Sequence, residues 1–125
     1  MNQNKIIIPL PLPTLNEYTN SNRTHYHQGA KIKKQATRIC KAHISKAIEE
    51  GFQLTNLPVQ MKCTWYVKDK RKDPDNIAFG IKFILDGATA AKLIPNDGWN
   101  EIKSITHIFE IDKSFQRVEI EEVNV

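Results

Sequence analysis

The chain has 125 residues, of which 40% are hydrophobic, 26% are charged and five are glycine, and this composition excludes disordered, collagen-like and low-complexity proteins. Its length predicts a single domain over residues 1–125, because two ordinary domains need a longer chain. The net charge is +4, and no apolar run approaches the roughly 20 residues of a membrane span, so we expect a cytoplasmic protein with no membrane partner.

The first predicted element is a short buried strand formed by the apolar run from Ile6 to Leu10. Alternating prolines at its end exclude a helix there and predict an extended exit. The segment from Thr14 to Gln28 is polar and has neither a helical nor a strand period, so we expect an ordered loop or flap. Loops of this length are usually functional or mobile. Its His25 and His27 are expected to be ordinary exposed side chains.

A helix of about five turns is predicted from Lys31 to Glu50, because apolar residues recur there at three- and four-residue spacing. Gly51 is a typical C-terminal stop. The face opposite the apolar one carries several cations, which are either simply solvated or form a ridge that contacts phosphates. The cations at the start of this segment are Lys31, Lys33 and Lys34.

A strand is predicted from Val59 to Val67, because apolar and polar side chains alternate there with the period of a half-buried strand. Trp65 falls on the apolar phase and is expected to be buried. The two cysteines, Cys40 and Cys63, also lie in apolar-periodic segments and lack the CxxC spacing of zinc sites. We therefore expect reduced, buried thiols.

An aspartate followed by proline is typical of a helix start, so Asp73-Pro74 predicts a second helix that runs to about Ala91. Turn residues follow, and the segments Glu101 to Ile111 and Arg117 to Val123 are typical of strands joined by a polar turn. The element order is strand, loop, helix, strand, helix, strand, strand. This order predicts an α+β fold, a single domain with helices packed on a small mixed β-sheet.

Acidic and basic side chains are concentrated in one stretch of the chain. Four cations within five residues precede two aspartates, and a third aspartate follows in a tight turn about twenty residues later. Oxygen ligands beside cations suit a hard metal ion bound next to a polyanion. On one continuous helix, Asp75, Lys82 and Asp86 would share a single stripe within roughly 20°. The four cations are Lys68, Lys70, Arg71 and Lys72, and the three aspartates are Asp73, Asp75 and Asp97.

The same residues also have a purely structural interpretation. Asp73 would cap the helix, Asp75 would favour its positive end, and Lys82 with Asp86 would form an exposed i,i+4 pair. This interpretation leaves the four preceding cations and the turn at Asp97 unexplained.

The pattern Asp73-Pro74-Asp75-Asn76, followed by Lys82, Ile84-Leu85-Asp86 and Asn96-Asp97, resembles the RusA-type Holliday junction resolvases. The proline-rich exit of the first strand, Pro9-Leu10-Pro11-Leu12-Pro13, extends the resemblance over most of the chain. The resemblance implies a RusA-like fold, with Asp73, Asp75 and Asp97 as catalytic magnesium ligands and Lys82 as a catalytic cation. The family pattern has its lysine about four residues after the second aspartate, at Phe79 here, so Lys82 stands one helical turn later.

The resemblance further implies a magnesium-dependent, structure-selective endodeoxyribonuclease that resolves four-way (Holliday) DNA junctions in recombination and repair, with no organic cofactor. It implies a bacterial, phage or prophage setting. Two symmetric nicks need two active sites, which implies a homodimer. DNA phosphates would be contacted by cations that give affinity rather than base readout, namely Lys68, Lys70, Arg71, Lys72, Lys31, Lys33 and Lys34.

Two alternatives stay open. One is a non-catalytic branched-DNA-binding module with the same fold, in which the acids serve as helix caps. The other is a metal nuclease that acts on flaps, forks or other branched DNA. Trp99, which follows Asp97-Gly98 directly, would either seal the floor of the site or stack on a base near an opened junction.

Overall fold

The strands of the computed structural model, which describes residues 4–24 and 26–123, build one mixed sheet. They are β1 (Ile6–Pro9), β2 (Val59–Val67), β3 (Ile102–Ile111) and β4 (Arg117–Glu122), arranged in the order β1-β4-β2-β3. Strand β4 is antiparallel to β1 and to β2, whereas β2 and β3 are parallel. The helices are α1 (Leu15–Thr24), α2 (Tyr26–Glu49), α3 (Pro74–Ala78) and α4 (Ile81–Ala90). The predicted α+β class with a small mixed sheet is confirmed.

One apolar core joins the sheet to helices α2 and α4. The predicted alternation of β2 is confirmed, since Val59, Met61, Cys63 and Trp65 are buried while the residues between them are half-buried. Val67, at the end of the strand, is half-buried. Helix α2 contributes Cys40 and Ile44, and α4 contributes Phe83 and Ile84. Both cysteines are free and buried, as predicted, and burial raises the pKa of each thiol to about 12.

Helix α4 runs back along β2, so that β2, α3, α4 and β3 form a parallel crossover. Gly80, just before α4, lies against the Trp65 ring near the end of β2, where an added Cβ would be 2.9 Å from that ring. Ala88, near the end of α4, borders a small apolar cavity together with Val59 and Met61 at the start of β2. We call the Val67 end of the sheet its carboxyl end and the Val59 end its amino end.

Helix α2 runs in the same direction as α4. Phe52, which follows it, borders the same small cavity at the amino end of the sheet. With 24 residues, α2 is about 36 Å long, whereas the nine residues of β2 span about 30 Å. The first turns of α2 therefore lie at the carboxyl end of the sheet.

The predicted loop from Thr14 to Gln28 is wrong, because this segment forms α1 and the first turn of α2. A reciprocal capping box starts α1: Thr14 N donates to Glu17 Oε1 at 3.0 Å, and Glu17 N donates to Thr14 Oγ1 at 3.4 Å. The spacing of these two residues was the missed signal. Residue His25 and the side chain of His27 lie outside the described part of the molecule.

The predicted continuous helix from Asp73 to Ala91 is also wrong, because it breaks at Phe79 and Gly80 into α3 and α4. At the break the hydrogen bonds tighten, with Gly80 N donating to Ile77 O at 3.2 Å and Lys82 N donating to Phe79 O at 3.1 Å. The single stripe predicted for Asp75, Lys82 and Asp86 therefore does not exist.

No helix in residues 4–24 and 26–123 is both long enough and apolar enough to cross a membrane.

Candidate metal and nucleic-acid site

Asp73 stands at the start of α3, beyond the carboxyl end of the sheet. It occupies the N-cap position with an extended backbone, and Pro74 follows at the first helical position, as predicted. Its backbone oxygen accepts the first helical bond from Ile77 N at 3.1 Å. Its exposed carboxylate, however, makes no capping hydrogen bond within the described residues. The interpretation of this side chain as a helix cap is therefore wrong, and the carboxylate is available to another ligand.

Asn76, which follows Asp75, connects α3 to the first turn of α1. Asp75 Oδ1 accepts a hydrogen bond from Asn76 N at 2.9 Å, and the Asp75 carboxylate is exposed to solvent. Asn76 Oδ1 accepts from Asn16 N at 2.8 Å, so Asn76 satisfies an N-terminal N–H group of α1. The asparagine of the Asp-Pro-Asp-Asn motif thus has a structural role that the sequence did not reveal.

A second link joins α1 to the cation-rich segment before Asp73. Glu17 Oε2 lies 3.6 Å from Lys72 Nζ. The pKa of Glu17 is lowered, chiefly by the hydrogen bond from the Thr14 backbone and further by the charge of Lys72, against a partial opposing effect of burial. These contacts fix the segment that carries the two aspartates against the start of α1.

The predicted DNA-binding cations lie at this same end of the molecule. Lys68, Lys70, Arg71 and Lys72 are exposed on the segment that leaves β2, and Arg71 Nε lies 3.5 Å from Asp69 Oδ2. Lys31 and Lys34 are exposed and Lys33 is half-buried in the first turns of α2. The structure thus groups the seven predicted phosphate-binding cations around the end of the sheet that bears Asp73 and Asp75.

Lys82 lies in the first turn of α4 and is exposed. The predicted ion pair with Asp86 is absent from the ion pairs that the described residues form. Asp86 instead turns inward, where its Oδ2 is buried without a hydrogen-bond partner in this part of the chain. Lys82 is therefore free of an intrahelical partner and close in the chain to α3.

Asp97 lies at the opposite end of α4 from Asp75. It precedes the turn in which Gly98 O accepts from Ile102 N at 3.0 Å, and Val59 N donates to Glu101 O at 2.7 Å. These bonds place the turn at the amino end of the sheet. Helix α4, which lies between this turn and Asp75 in the chain, spans about 15 Å. Accordingly, the described residues contain no group of three or more His, Cys, Asp or Glu side chains able to hold a metal ion.

Two of the three predicted ligands, Asp73 and Asp75, thus lie two residues apart at the start of α3, whereas Asp97 lies beyond the other end of α4. Carboxylate oxygens are among the ligands that Mg²⁺ takes in proteins. Because the Asp73 carboxylate is not used as a cap, this pair is compatible with a divalent cation that keeps further ligands from water, substrate or another protein chain.

Trp99 is 96% exposed, so the prediction that it seals the floor of the site is wrong for the single chain. Its alternative role, stacking on a base, stays a prediction.

A cavity of about 420 Å³ opens beside Asp73, between the exit of β1 and the segment that follows β2. Leu10, Trp65, Val67 and Ile77 supply its apolar lining. Trp65 is held in place by its Nε1–H group, which donates to His107 Nδ1 at 2.9 Å. The sequence did not reveal this cavity, because its walls come from four separate parts of the chain.

A scan against models of known protein families found no match to this chain, and a search of curated proteins found none either.

Proposed function

We propose that the protein is a magnesium-dependent, structure-selective endodeoxyribonuclease of the RusA type that resolves four-way DNA junctions by paired symmetric nicks in recombination and repair. The proposal depends on the carboxylate of Asp73, which is exposed, makes no capping hydrogen bond and lies two residues from Asp75. The predicted cations lie at the same end of the molecule. Carboxylates that serve only as helix caps need no such cationic surroundings.

The proposed enzyme is a homodimer, and the dimer completes the metal site. Because Asp97 lies at the far end of α4 from Asp75, folding of one chain does not bring the three carboxylates together. A two-fold dimer that sets the Asp97 turn of each protomer against α3 of the other produces two equivalent sites. Each site then contains Asp73 and Asp75 of one protomer and the partner's Asp97. Two such sites match the two nicks that junction resolution requires.

Each residue has a distinct task in this proposal. Asp73, Asp75 and the partner's Asp97 would hold Mg²⁺, which would supply charge neutralisation at the phosphate and a more acidic water. Lys82, at the start of α4, stabilises the charge that develops on the scissile phosphate or on its leaving oxygen. The cations of the segment after β2 and of the first turns of α2 hold the DNA backbone without reading its sequence.

The proposal is tested by Mg²⁺-dependent cleavage of a labelled synthetic four-way junction, with a linear duplex of the same sequence beside it. Wild type should nick the junction in symmetric pairs and leave the duplex intact. Asp75→Asn should abolish cleavage while junction binding persists, because it removes a metal ligand and a repulsive charge together. Glu50→Gln is the matched control, since it removes an exposed carboxylate near the end of α2 and should cleave at the wild-type rate. Junction binding by wild type with no nicks in Mg²⁺ would favour the non-catalytic module instead.

A further inference from the structure

The 420 Å³ cavity beside Asp73 has an apolar floor and a cationic rim. Leu10, Val67 and Ile77 line the floor, and Lys68, Arg71 and Lys72 line the rim. Its volume lies within the roughly 300–1,000 Å³ of pockets that bury small organic ligands. The candidate phosphate contacts and an apolar recess are therefore parts of one surface.

The positive charge of the rim favours an anionic ligand. Three cations face one carboxylate, Asp69, which is engaged locally: its Oδ1 accepts from Arg71 N at 3.0 Å and its Oδ2 lies 3.5 Å from Arg71 Nε. Lys72 forms an ion pair with Glu17, whereas Lys68 has no carboxylate partner among the described residues. The rim thus keeps a net positive charge and suits phosphate groups.

The walls also offer a polar group for a flat heterocycle. Gln116 lines the cavity, and its Nε2 donates to Asp112 O at 3.0 Å. This bond fixes the amide and leaves its carbonyl oxygen without a hydrogen-bond partner in the described part of the chain. An apolar recess with one fixed acceptor and phosphate-binding cations at its mouth matches a nucleotide more closely than a peptide or a lipid.

We infer that this cavity receives one unstacked nucleotide of the DNA substrate, with its base against Leu10, Val67 and Ile77 and its phosphates on Lys68, Arg71 and Lys72. The inference rests on the proposed function, since DNA is its ligand. Ile77 follows Asp75 by two residues and Lys72 directly precedes Asp73, so the bound nucleotide flanks the scissile phosphate. Open junctions supply unpaired nucleotides more readily than intact duplexes do, and the cavity thereby contributes to the choice of substrate.

The test is binding without Mg²⁺, measured by fluorescence anisotropy with two labelled probes of equal charge. One probe is a thymidine hexanucleotide and the other is the same backbone with abasic residues. Wild type should bind the base-containing probe about tenfold more tightly, which corresponds to about 1.4 kcal/mol of apolar contact between one base and the aliphatic floor. Equal affinity of the two probes for wild-type protein would overturn the inference.

Val67→Trp fills the cavity and should remove the preference for bases while affinity for the abasic probe is retained. Thr64→Trp is the matched control, because residue 64 belongs to the same strand on the face opposite the buried one, and it should keep the preference. Lys68→Gln should lower the affinity of the protein for both probes by the same factor. A base preference that survives both Val67→Trp and the non-aromatic Val67→Gln would show that another surface binds the bases; both variants are needed because an introduced indole offers a base its own stacking surface. Since none of these readouts requires cleavage, failure of the proposed nuclease activity would appear separately, as absent nicking with the base preference intact.

Discussion

Replacing His107 with phenylalanine should destabilise the protein by about 2 kcal/mol, because a buried hydrogen-bond donor then loses its acceptor. Trp65 is 1% exposed, and its Nε1–H donates to His107 Nδ1 at 2.9 Å. Phenylalanine keeps an aromatic ring of similar size but offers no acceptor. A buried unsatisfied donor costs roughly 1–3 kcal/mol. At about 3–6 °C per kcal/mol for a domain of this size, Tm should fall by about 6–12 °C.

The same hydrogen bond links stability to pH. It needs a lone pair on Nδ1 and therefore neutral His107, and burial lowers the pKa of His107 from its ordinary value of 6.5. As the pH falls through 6.5, the unfolded state binds the proton first. The stability that neutral His107 supplies is thus fully present above pH 6.5 and is lost below it. His107→Phe should flatten this acid limb of the Tm profile.

A double-mutant cycle isolates the bond. Thermal unfolding, followed by circular dichroism, is compared for wild type, His107→Phe, Trp65→Phe and the double variant. In the Trp65→Phe background the donor is already absent, so His107→Phe should cost less than about half of its cost in wild type. Equal costs in the two backgrounds would refute the reasoning and would assign the effect to packing of the imidazole alone.

Three further predictions concern packing, thiol chemistry and catalysis. Gly87→Ala should lower the free energy of unfolding by about 1–3 kcal/mol, because its Cβ would lie 2.7 Å from Cys40 Cβ and 2.9 Å from the Lys41 backbone nitrogen. The control Gly98→Ala, whose Cβ would have no atom nearer than 3.5 Å, should change it by less than about 0.5 kcal/mol. Similar free energies of unfolding for the two variants in urea denaturation would contradict this packing argument. Burial raises the pKa of both thiols to about 12, so a thiol-reactive disulfide reagent at pH 8 should modify the cysteines only in denaturant. Rapid modification of the native protein would show that the thiols are accessible. Lys82→Ala should slow junction cleavage by about tenfold or more, whereas Lys46→Ala, an exposed change late in α2, should not; a wild-type rate for Lys82→Ala would assign its role to another cation.

The fold could be predicted from the sequence wherever apolar residues recur with a single clear period. In β2 the alternation of apolar and polar residues decides both the element and its bounds, because one face packs on helices. The loop prediction from Thr14 to Gln28 failed because α1 is polar and is held by its capping box and by Asn76. Tertiary contacts across sixty residues stabilise that helix, and hydrophobic periodicity does not record such contacts.

The helix from Asp73 to Ala91 failed for a related reason. The chain tightens at Phe79 and Gly80, where Gly80 lies against the Trp65 ring, and this tight turn separates α3 from α4. The identity of the ring beside Gly80 is set by the sheet and by the crossover, neither of which appears in the local sequence.

The candidate site was predictable only in its local part. Asp73 and Asp75 are neighbours in the chain, and the Asp-Pro pattern predicts their exposed position at a helix start. The separation of Asp97 depends on the direction of α4 along β2, which sequence spacing does not encode. The cavity beside Asp73 needs side chains from four segments, so no single motif announces it.

In the proposed dimer, Asp73 and Asp75 of one protomer work with the partner's Asp97. This sharing of residues can be measured by mixing inactive Asp75→Asn and Asp97→Asn proteins, allowing subunits to exchange, and following Mg²⁺-dependent nicking of a four-way junction. Each mixed dimer then holds one site with all three aspartates intact, so the account predicts that single nicks return although each variant alone is inactive. No nicking by the mixture, while wild type cleaves and the subunits demonstrably exchange, would contradict a site shared between protomers.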